Sequence, residues 1–312
     1  MTMQENELGN EYLTGRERIV HADGLELWAE DFGDPGHPAV LMVMGAQAQA
    51  VQWNDGIVRR LVEGGHRVIR YDHRDTGRSS TVDFTARPYT VADMASDALA
   101  VLDAFGAGQA HLVGASLGGL IAQRLAVTHA HRVLTLTSLS SQPLGTDTAA
   151  AVRRALEGGS PPPGELPPPT AELLAVLAST FPEPDADLEE YLAACLPLWR
   201  VLHGPALPFH EAEYRAMERR VYERARDLRA GLNHTLAGAA GSGSTADLAS
   251  VTAPTLVVHG TEDPMFPPAH AEATAAAIPG AHLVMIEGMG HTLPKALDDR
   301  LADEILHHTP RA

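Results

Sequence analysis

Cysteine is almost missing: Cys195 is the only one in 312 residues. One thiol makes no disulfide within the chain, so a packed core must hold the fold, and a lone thiol fits a reducing compartment. Cys195 lies in an apolar helical pattern, which assigns it to packing rather than to nucleophilic chemistry. Aromatic residues make up only 5% of the chain. No run approaches 18 consecutive apolar residues, so a membrane-spanning helix is not expected. Positive charge is scarce too, with 23 Lys and Arg against 40 Asp and Glu and a net charge of −17. That balance opposes binding to nucleic acid or to an anionic membrane surface. The 16 histidines show no metal spacing such as H-E-x-x-H. No G-x-G-x-x-G follows the first parallel strand, so neither a metal nor a dinucleotide cofactor is expected. Residues 1–14 are polar, carry Glu5, Glu7 and Glu11, and lack a basic start and an apolar centre. They read as a disordered leader rather than a signal peptide, and the protein is expected to be cytoplasmic.

Apolar residues make up 45% of the sequence, enough for a sizeable core. The length suits one large α/β domain with an insertion, or two small domains. Arg18–Val20 and Leu25–Asp31 form strands around Asp23-Gly24, a hairpin signal. Ala39–Met44 is a wholly apolar strand of the kind buried in a parallel sheet. A helix over Asn54–Glu63 stops at Gly64-Gly65, and Arg67–Tyr71 is the next strand. Thr90-Val91-Ala92-Asp93 opens a helix like a capping box, and Gly106 closes it. His111–Val113 is a strand, Leu120–Thr128 a helix and Val133–Leu139 a strand. Such alternation specifies a mostly parallel sheet with helices on both faces, the opening hairpin adding antiparallel strands at one edge.

After Leu139 the rhythm breaks. Residues 141–248 contain no convincing strand, and a proline run from Pro161 to Pro169 must be extended and exposed. Helices are expected over about 147–157, 170–179, 187–196 and 211–230, with a flexible return at Gly238–Ser244. The segment reads as a helical cap inserted into a core formed by residues 15–140 and 249–312. The core resumes with a strand at Thr255–His259, a helix at Ala269–Ile278, a strand at His282–Ile286 and a closing helix over Leu293–His308.

The chain is organised around Gly114-Ala115-Ser116-Leu117-Gly118, a G-x-S-x-G pattern between a strand and a helix. A serine on a strained strand-to-helix turn needs small neighbours two residues away on either side, which Gly114 and Gly118 supply. A serine hydroxyl is a weak nucleophile and needs a base, itself oriented by an acid. Sites in open parallel sheets form at the carboxyl ends of strands. The loop after the 255–259 strand offers Asp263, with Glu262 as its nearest rival and Asp147 as a weaker one. The loop after the last strand offers His291, with Gly288 and Gly290 letting the loop turn tightly. The order Ser116, Asp263, His291 then forms a nucleophile, acid and base. An oxyanion hole requires two converging backbone N–H donors; Leu117, just after the serine, and Ala46, after the 39–44 strand, are the candidates. His259 and His270 are structural in this reading. The polar stretch Asp72–Ser79 pins a loop by internal hydrogen bonds rather than forming a second site.

These residues resemble the α/β-hydrolase superfamily, and more narrowly the aclacinomycin methylesterase-type serine esterases, which act on anthracycline polyketides. The likeness runs through Leu27-Trp28, Asp31–Pro35, Val43-Met44-Gly45, Val68–Ser79, the elbow, Asp263-Pro264 and Gly288–His291, and into the insertion at Trp199-Arg200, Pro208-Phe209 and Ala212-Glu213-Tyr214. Departures are Ala46, where a second glycine is expected, and Ala115 and Leu117 beside the serine, where the methylesterases carry larger residues. The resemblance implies Ser116, Asp263 and His291 as triad and Ala46 and Leu117 as oxyanion donors. It further implies a cofactor-free carboxylic ester hydrolase acting on a small hydrophobic ester such as a polyketide methyl ester. The same triad also serves perhydrolysis and carbon–carbon bond hydrolysis, and a hydrolase-like binding protein is the reading from another class. Haloalkane and epoxide hydrolases of this fold carry an aspartate where Ser116 stands. A homodimer is left open.

Overall fold

The computed structural model describes residues 2–5, 11–178, 186–239 and 243–310. The strands and helices fall in chain order as β1 (Thr2–Glu5), β2 (Glu11–Thr14), β3 (Arg16–Ala22), β4 (Leu25–Phe32), β5 (Ala39–Val43), α1 (Asp55–Glu63), β6 (Arg67–Tyr71), α2 (Val91–Ala104), β7 (Ala110–Ala115), α3 (Leu117–Thr128) and β8 (Val133–Leu139). The helices α4 (Thr148–Leu156), α5 (Ala171–Leu177), α6 (Leu188–His203), α7 (Glu211–Arg224) and α8 (Asn233–Ala239) come next. Then come β9 (Thr255–Gly260), α9 (Ala269–Ala277), β10 (His282–Ile286) and α10 (Asp298–His308).

Eight strands form one sheet in the order β10-β9-β8-β7-β5-β6-β4-β3. Strands β5 to β10 run parallel, and β3 and β4 join antiparallel at one edge. The expected edge hairpin is thus present, and its tip explains its tightness. Asp23 at φ 49° and Gly24 at φ 73° are the paired left-handed residues of a type I′ turn, whose twist matches the flanking strands. All five residues of β5 and all six of β7 are buried, as apolar strands covered on both faces should be. On one face α2 and α3 bury Met94, Leu102, Ile121 and Leu125 against the sheet. On the other, Ile57 and Leu61 of α1 meet Leu301 and Ile305 of α10 over Val40, Val68 and Val258.

The structure corrects the expected leader and two helix ends. The disordered leader is replaced, over its described residues, by an antiparallel ribbon in which Thr2 pairs with Thr14 and Glu5 with Glu11; residues 1 and 6–10 of that expectation lie outside the described residues. The anchor is Leu13, which is fully buried among Phe32, Ile57 and Trp53 and donates its N–H to Asp55 at 2.9 Å. The helix expected to end at Leu196 continues through Pro197 to His203. Beyond the proline, Trp199 Nε1 donates to Glu218 at 2.8 Å and His203 Nδ1 accepts from the Tyr214 hydroxyl at 2.8 Å. These bonds to α7 hold the last turns despite the lost backbone donor. The helix expected over 211–230 ends at Arg224 instead, where Arg226 N donates to Gly77 O and the Asp227 carboxylate takes the N–H groups of Arg229 and Ala230. An aspartate bonded to the next turn competes with helix propagation.

Between β8 and β9 the described residues hold α4 to α8 and no strand. The proline run is exposed at Pro161–Gly164, but Pro169 is buried, and Thr170 N donates to Pro264 O at 2.8 Å. Ser179, the end of one expected helix, and residues 240–242 of the expected return lie outside the described residues. Among the described residues no helix is long and apolar enough to cross a membrane.

Candidate active site

The sheet order changes direction at β5, which lies between β6 and β7. Crevices at the carboxyl ends of strands open at such a point, and β5 and β7 lead there into the loops bearing Ala46 and Ser116. Ser116 has φ 53° and ψ −118°, a strained conformation for a residue with a Cβ. It persists because its surroundings leave no alternative. Ser116 N donates to Leu139 O at 2.9 Å, and its carbonyl accepts from Gly119 N at 2.9 Å and Ser141 Oγ at 2.7 Å. A methyl group on Gly114 would collide with the Gly118 backbone, and one on Gly118 with the Val43 carbonyl. The chain crosses itself there without room for side chains. Helix α3 starts at Leu117, three residues earlier than its apolar spacing suggests, so Leu117 N–H is one of the free donors of a helix start. Gly45 lies across the serine: a Cβ there would stand 3.3 Å from Ser116 Cβ and 3.8 Å from Oγ.

Asp263 and His291 come together although 28 residues apart, with His291 Nδ1 donating to Asp263 Oδ2 at 2.8 Å. The other carboxylate oxygen accepts the N–H groups of Met265 and Phe266, both at 2.9 Å. Burial would raise the Asp263 pKa; the His291 charge and hydrogen bond, His259, and the Phe266 N–H reverse this and hold it below the ordinary value. The carboxylate is therefore ionised, aimed and out of solvent. Its rivals go elsewhere: Glu262 is exposed, and Asp147 caps α4 by accepting from Ala150 N.

The loop carrying His291 is fixed by the inserted helices. His291 N donates to Leu202 O at 2.7 Å, and Gly290 passes so close to the carbonyls of Leu202 and His203 that no side chain fits. Thr292 bonds the Tyr214 hydroxyl at 2.9 Å, and Phe266 packs edge-on to the His291 ring at 5.4 Å. His259 and His270 serve structure: their Nε2 atoms donate to Phe266 O at 2.7 Å and Pro167 O at 2.9 Å. Burial pushes both pKa values down.

Ser116 and His291 open into one cavity of ≈ 880 Å³, which Gly45 and Ala46 also line. Its far wall comes from α6 and α7, with Leu198, Trp199, Leu202, Met217 and Val221. Among the described residues no hydrogen bond joins Ser116 Oγ to His291, a looseness common before substrate binds. Neither Ala46 N–H nor Leu117 N–H is engaged by a described residue. Asp72 and Asp75 meet the expectation of a pinned loop. Asp72 takes the N–H groups of Ala50 and Arg78 and an Arg224 nitrogen, and Asp75 takes Val82 N–H and the Tyr89 hydroxyl.

The family model for the alpha/beta hydrolase fold matches residues 38–294. The chain is an α/β hydrolase. Over 295 residues the hydrolase is 40% identical to rhodomycin D methylesterase DauP of Streptomyces sp. (strain C5), covering 95% of this chain and 98% of that protein. Rhodomycin D methylesterase DnrP of Streptomyces peucetius is matched to the same extent. Among solved structures, a hydrolase from Pseudomonas aeruginosa PA01 superposes with a TM-score of 0.68 at 26% identity, covering 95% of this chain and 99% of that one.

One cavity residue of the hydrolase carries little signal in the sequence. Glu218 is buried and accepts from the Tyr191 hydroxyl at 2.6 Å and from Trp199 Nε1; burial raises its pKa despite these donors. Its only sequence signal is a charge on the apolar side of an amphipathic helix, which is also what a partly exposed residue gives. Cys195 lines the same cavity, and burial, then the Glu218 charge, push its thiol up to about 12. It stays protonated, in keeping with packing.

Proposed function

We propose that the hydrolase cleaves the carboxylic ester of a small hydrophobic molecule through an acyl-enzyme on Ser116. The observation that carries this reading is the Asp263–His291 hydrogen bond at 2.8 Å, with His291 lining a largely apolar cavity shared with the strained Ser116. His291 Nε2 takes the proton from Ser116 Oγ as Oγ attacks the ester carbonyl. Asp263 holds the ring with its proton on Nδ1 and stabilises the imidazolium that forms. The carbonyl electrons move to an oxyanion facing the Ala46 and Leu117 N–H groups, each such donor being worth about 10²–10³ in kcat. Collapse breaks the C–O bond, and His291 returns the proton to the leaving alcohol. Water, deprotonated by the same imidazole, then releases the acid and regenerates the serine.

The rhodomycin D methylesterases, similar over nearly the whole length, suggest a methyl ester on a polyketide-like ring system, with methanol as leaving group. The helices from 141 to 248 act as a cap, their apolar side chains covering the ring system while the ester reaches Ser116. Intact-mass measurement after a fluorophosphonate probe tests the nucleophile: wild type should gain one adduct and Ser116→Ala none. Labelling of both, or ester turnover surviving in Ser116→Ala, would sink the mechanism. Chromatographic identification of acid and methanol from a methyl-ester substrate tests the reaction.

A further inference from the structure

The loop that presents Ala46 holds itself in an unfavourable conformation. Gln47, the next residue, has φ 65°, where a residue with a Cβ is rarely found. Two buried imidazoles, neither in contact with the triad by any described bond, grip this loop from outside the cavity. His73 Nε2 donates to Met44 O at 2.9 Å. His234, on α8, accepts from Gln47 N–H at Nδ1 at 3.0 Å and donates from Nε2 to Arg74 O at 2.8 Å. The carbonyl acceptor on Nε2 fixes the tautomer, so the Nδ1 lone pair must be the one meeting Gln47. Burial, with smaller charge effects, lowers the His73 pKa to about 3 and the His234 pKa to about 4. Both rings are neutral at neutral pH, as that tautomer requires.

These bonds have a specific consequence for one N–H. The Met44–Gly45 peptide is held through its carbonyl by His73, and the Ala46–Gln47 peptide through its N–H by His234. The plane between them carries Gly45 C=O and Ala46 N–H, and its carbonyl is turned away by Ala48 N at 3.3 Å. Since the two groups of a trans peptide point in opposite directions, Ala46 N–H has one orientation left. The inserted segment adds a steric stop: a Cβ on Gly231 would lie 3.0 Å from Gln47 Cα and 3.3 Å from its Cβ. The rings of His73 and His234 meet edge-on at 5.6 Å.

We propose that His234, seconded by His73, is a positioning residue that aims the Ala46 N–H at the developing oxyanion, so that the inserted helices control transition-state stabilisation as well as covering substrate. This rests on the ester-hydrolase reading above. A role as mere glue for the insertion would change stability but not the chemical step. The test uses p-nitrophenyl butyrate with His234→Asn, His234→Gln, His234→Ala and Gly231→Ala, each checked for folding by circular dichroism and melting temperature. Asparagine places an acceptor where Nδ1 stands and keeps the Gln47 bond; glutamine places its amide where Nε2 stands and keeps only the Arg74 bond. Expected are kcat losses of about 100-fold in the glutamine and alanine variants, the scale of a 1 Å misplacement, with KM within about threefold. His234→Asn should stay within about fivefold of wild type. Gly231→Ala, which presses on Gln47 with His234 intact, should lose about tenfold or more in kcat. Wild-type kcat in a folded His234→Gln variant, or equal losses in the asparagine and glutamine variants, would overturn the proposal. Should alanine fail to fold, the asparagine–glutamine comparison and Gly231→Ala still decide it. Wild type inert to both ester and fluorophosphonate would instead remove the esterase reading, and this inference with it.

Discussion

Asp263→Asn separates orientation from charge at the proposed acid position. The asparagine oxygen can occupy the Oδ1 site and keep accepting Met265 and Phe266 N–H, now at 2.9 Å each, so the loop should retain its shape. The amide nitrogen then faces His291 Nδ1, 2.8 Å from the present Oδ2. Two N–H donors cannot face each other, so the imidazole must move its proton to Nε2. That tautomer has no lone pair toward Ser116, and the stabilising charge beside the imidazolium is gone as well. The expected loss is about 10⁴-fold in kcat, or about 5.4 kcal/mol at 1.36 kcal/mol per decade, with KM little changed.

The same substitution has a thermodynamic signature. The Asp263 pKa is lower folded than unfolded. Its ionised form therefore contributes stability above the ordinary aspartate pKa, and that contribution disappears as pH falls through the lower folded value. The gap in melting temperature between wild type and Asp263→Asn should be widest near neutrality and close below about pH 4. Steady-state kinetics on p-nitrophenyl butyrate and thermal melts from pH 3 to 8 measure both. A kcat loss under about tenfold in a folded variant would refute the orientation argument, and a gap that widens toward acid would refute the electrostatic one.

Four further substitutions test the framework. Asp97→Asn leaves the Arg74 guanidinium, now held at 2.7 and 2.8 Å by both Asp97 oxygens in a buried pair, without its counter-charge; unfolding in urea should show a loss of about 3–5 kcal/mol. Leu13→Ala empties a fully buried site between the N-terminal ribbon and α1 and should cost about 2–5 kcal/mol, whereas a frayed leader predicts no change. Gly114→Ala forces a methyl into the Gly118 backbone and should cost about 3 kcal/mol or more, or prevent folding. Gly108→Ala, where a Cβ meets nothing within 4 Å, should stay within about 0.5 kcal/mol of wild type.

What the sequence revealed and what it hid divide along one physical line. The elbow, the edge hairpin and the strand-end loops are each dictated by a few adjacent residues, because the backbone conformations they need tolerate only small or turn-forming side chains at fixed offsets. Asp263 stood out from Glu262 because Pro264 follows it in a loop at the strand ends; folded, its Oδ1 takes the N–H groups of Met265 and Phe266, which leaves Oδ2 for His291. The hidden features depend on partners far along the chain. Helix α6 runs past Pro197 because α7 supplies Glu218 and Tyr214 to the turns beyond the proline. The Gln47 N–H finds His234 at a separation of 187 residues, and nothing near either residue signals the other. The short helix that delivers His234 follows an Asp227 turn and has no apolar stripe long enough to register. Strain at the elbow and the hairpin tip is therefore readable where it is created, while the strain at Gln47 and the contacts that hold the Ala46 and His291 loops in place appear only when the chain has folded. On the proposal above, a substitution at His234 in α8 alters the chemical step without touching substrate, so the inserted helices are more than a cover whose only property is its shape.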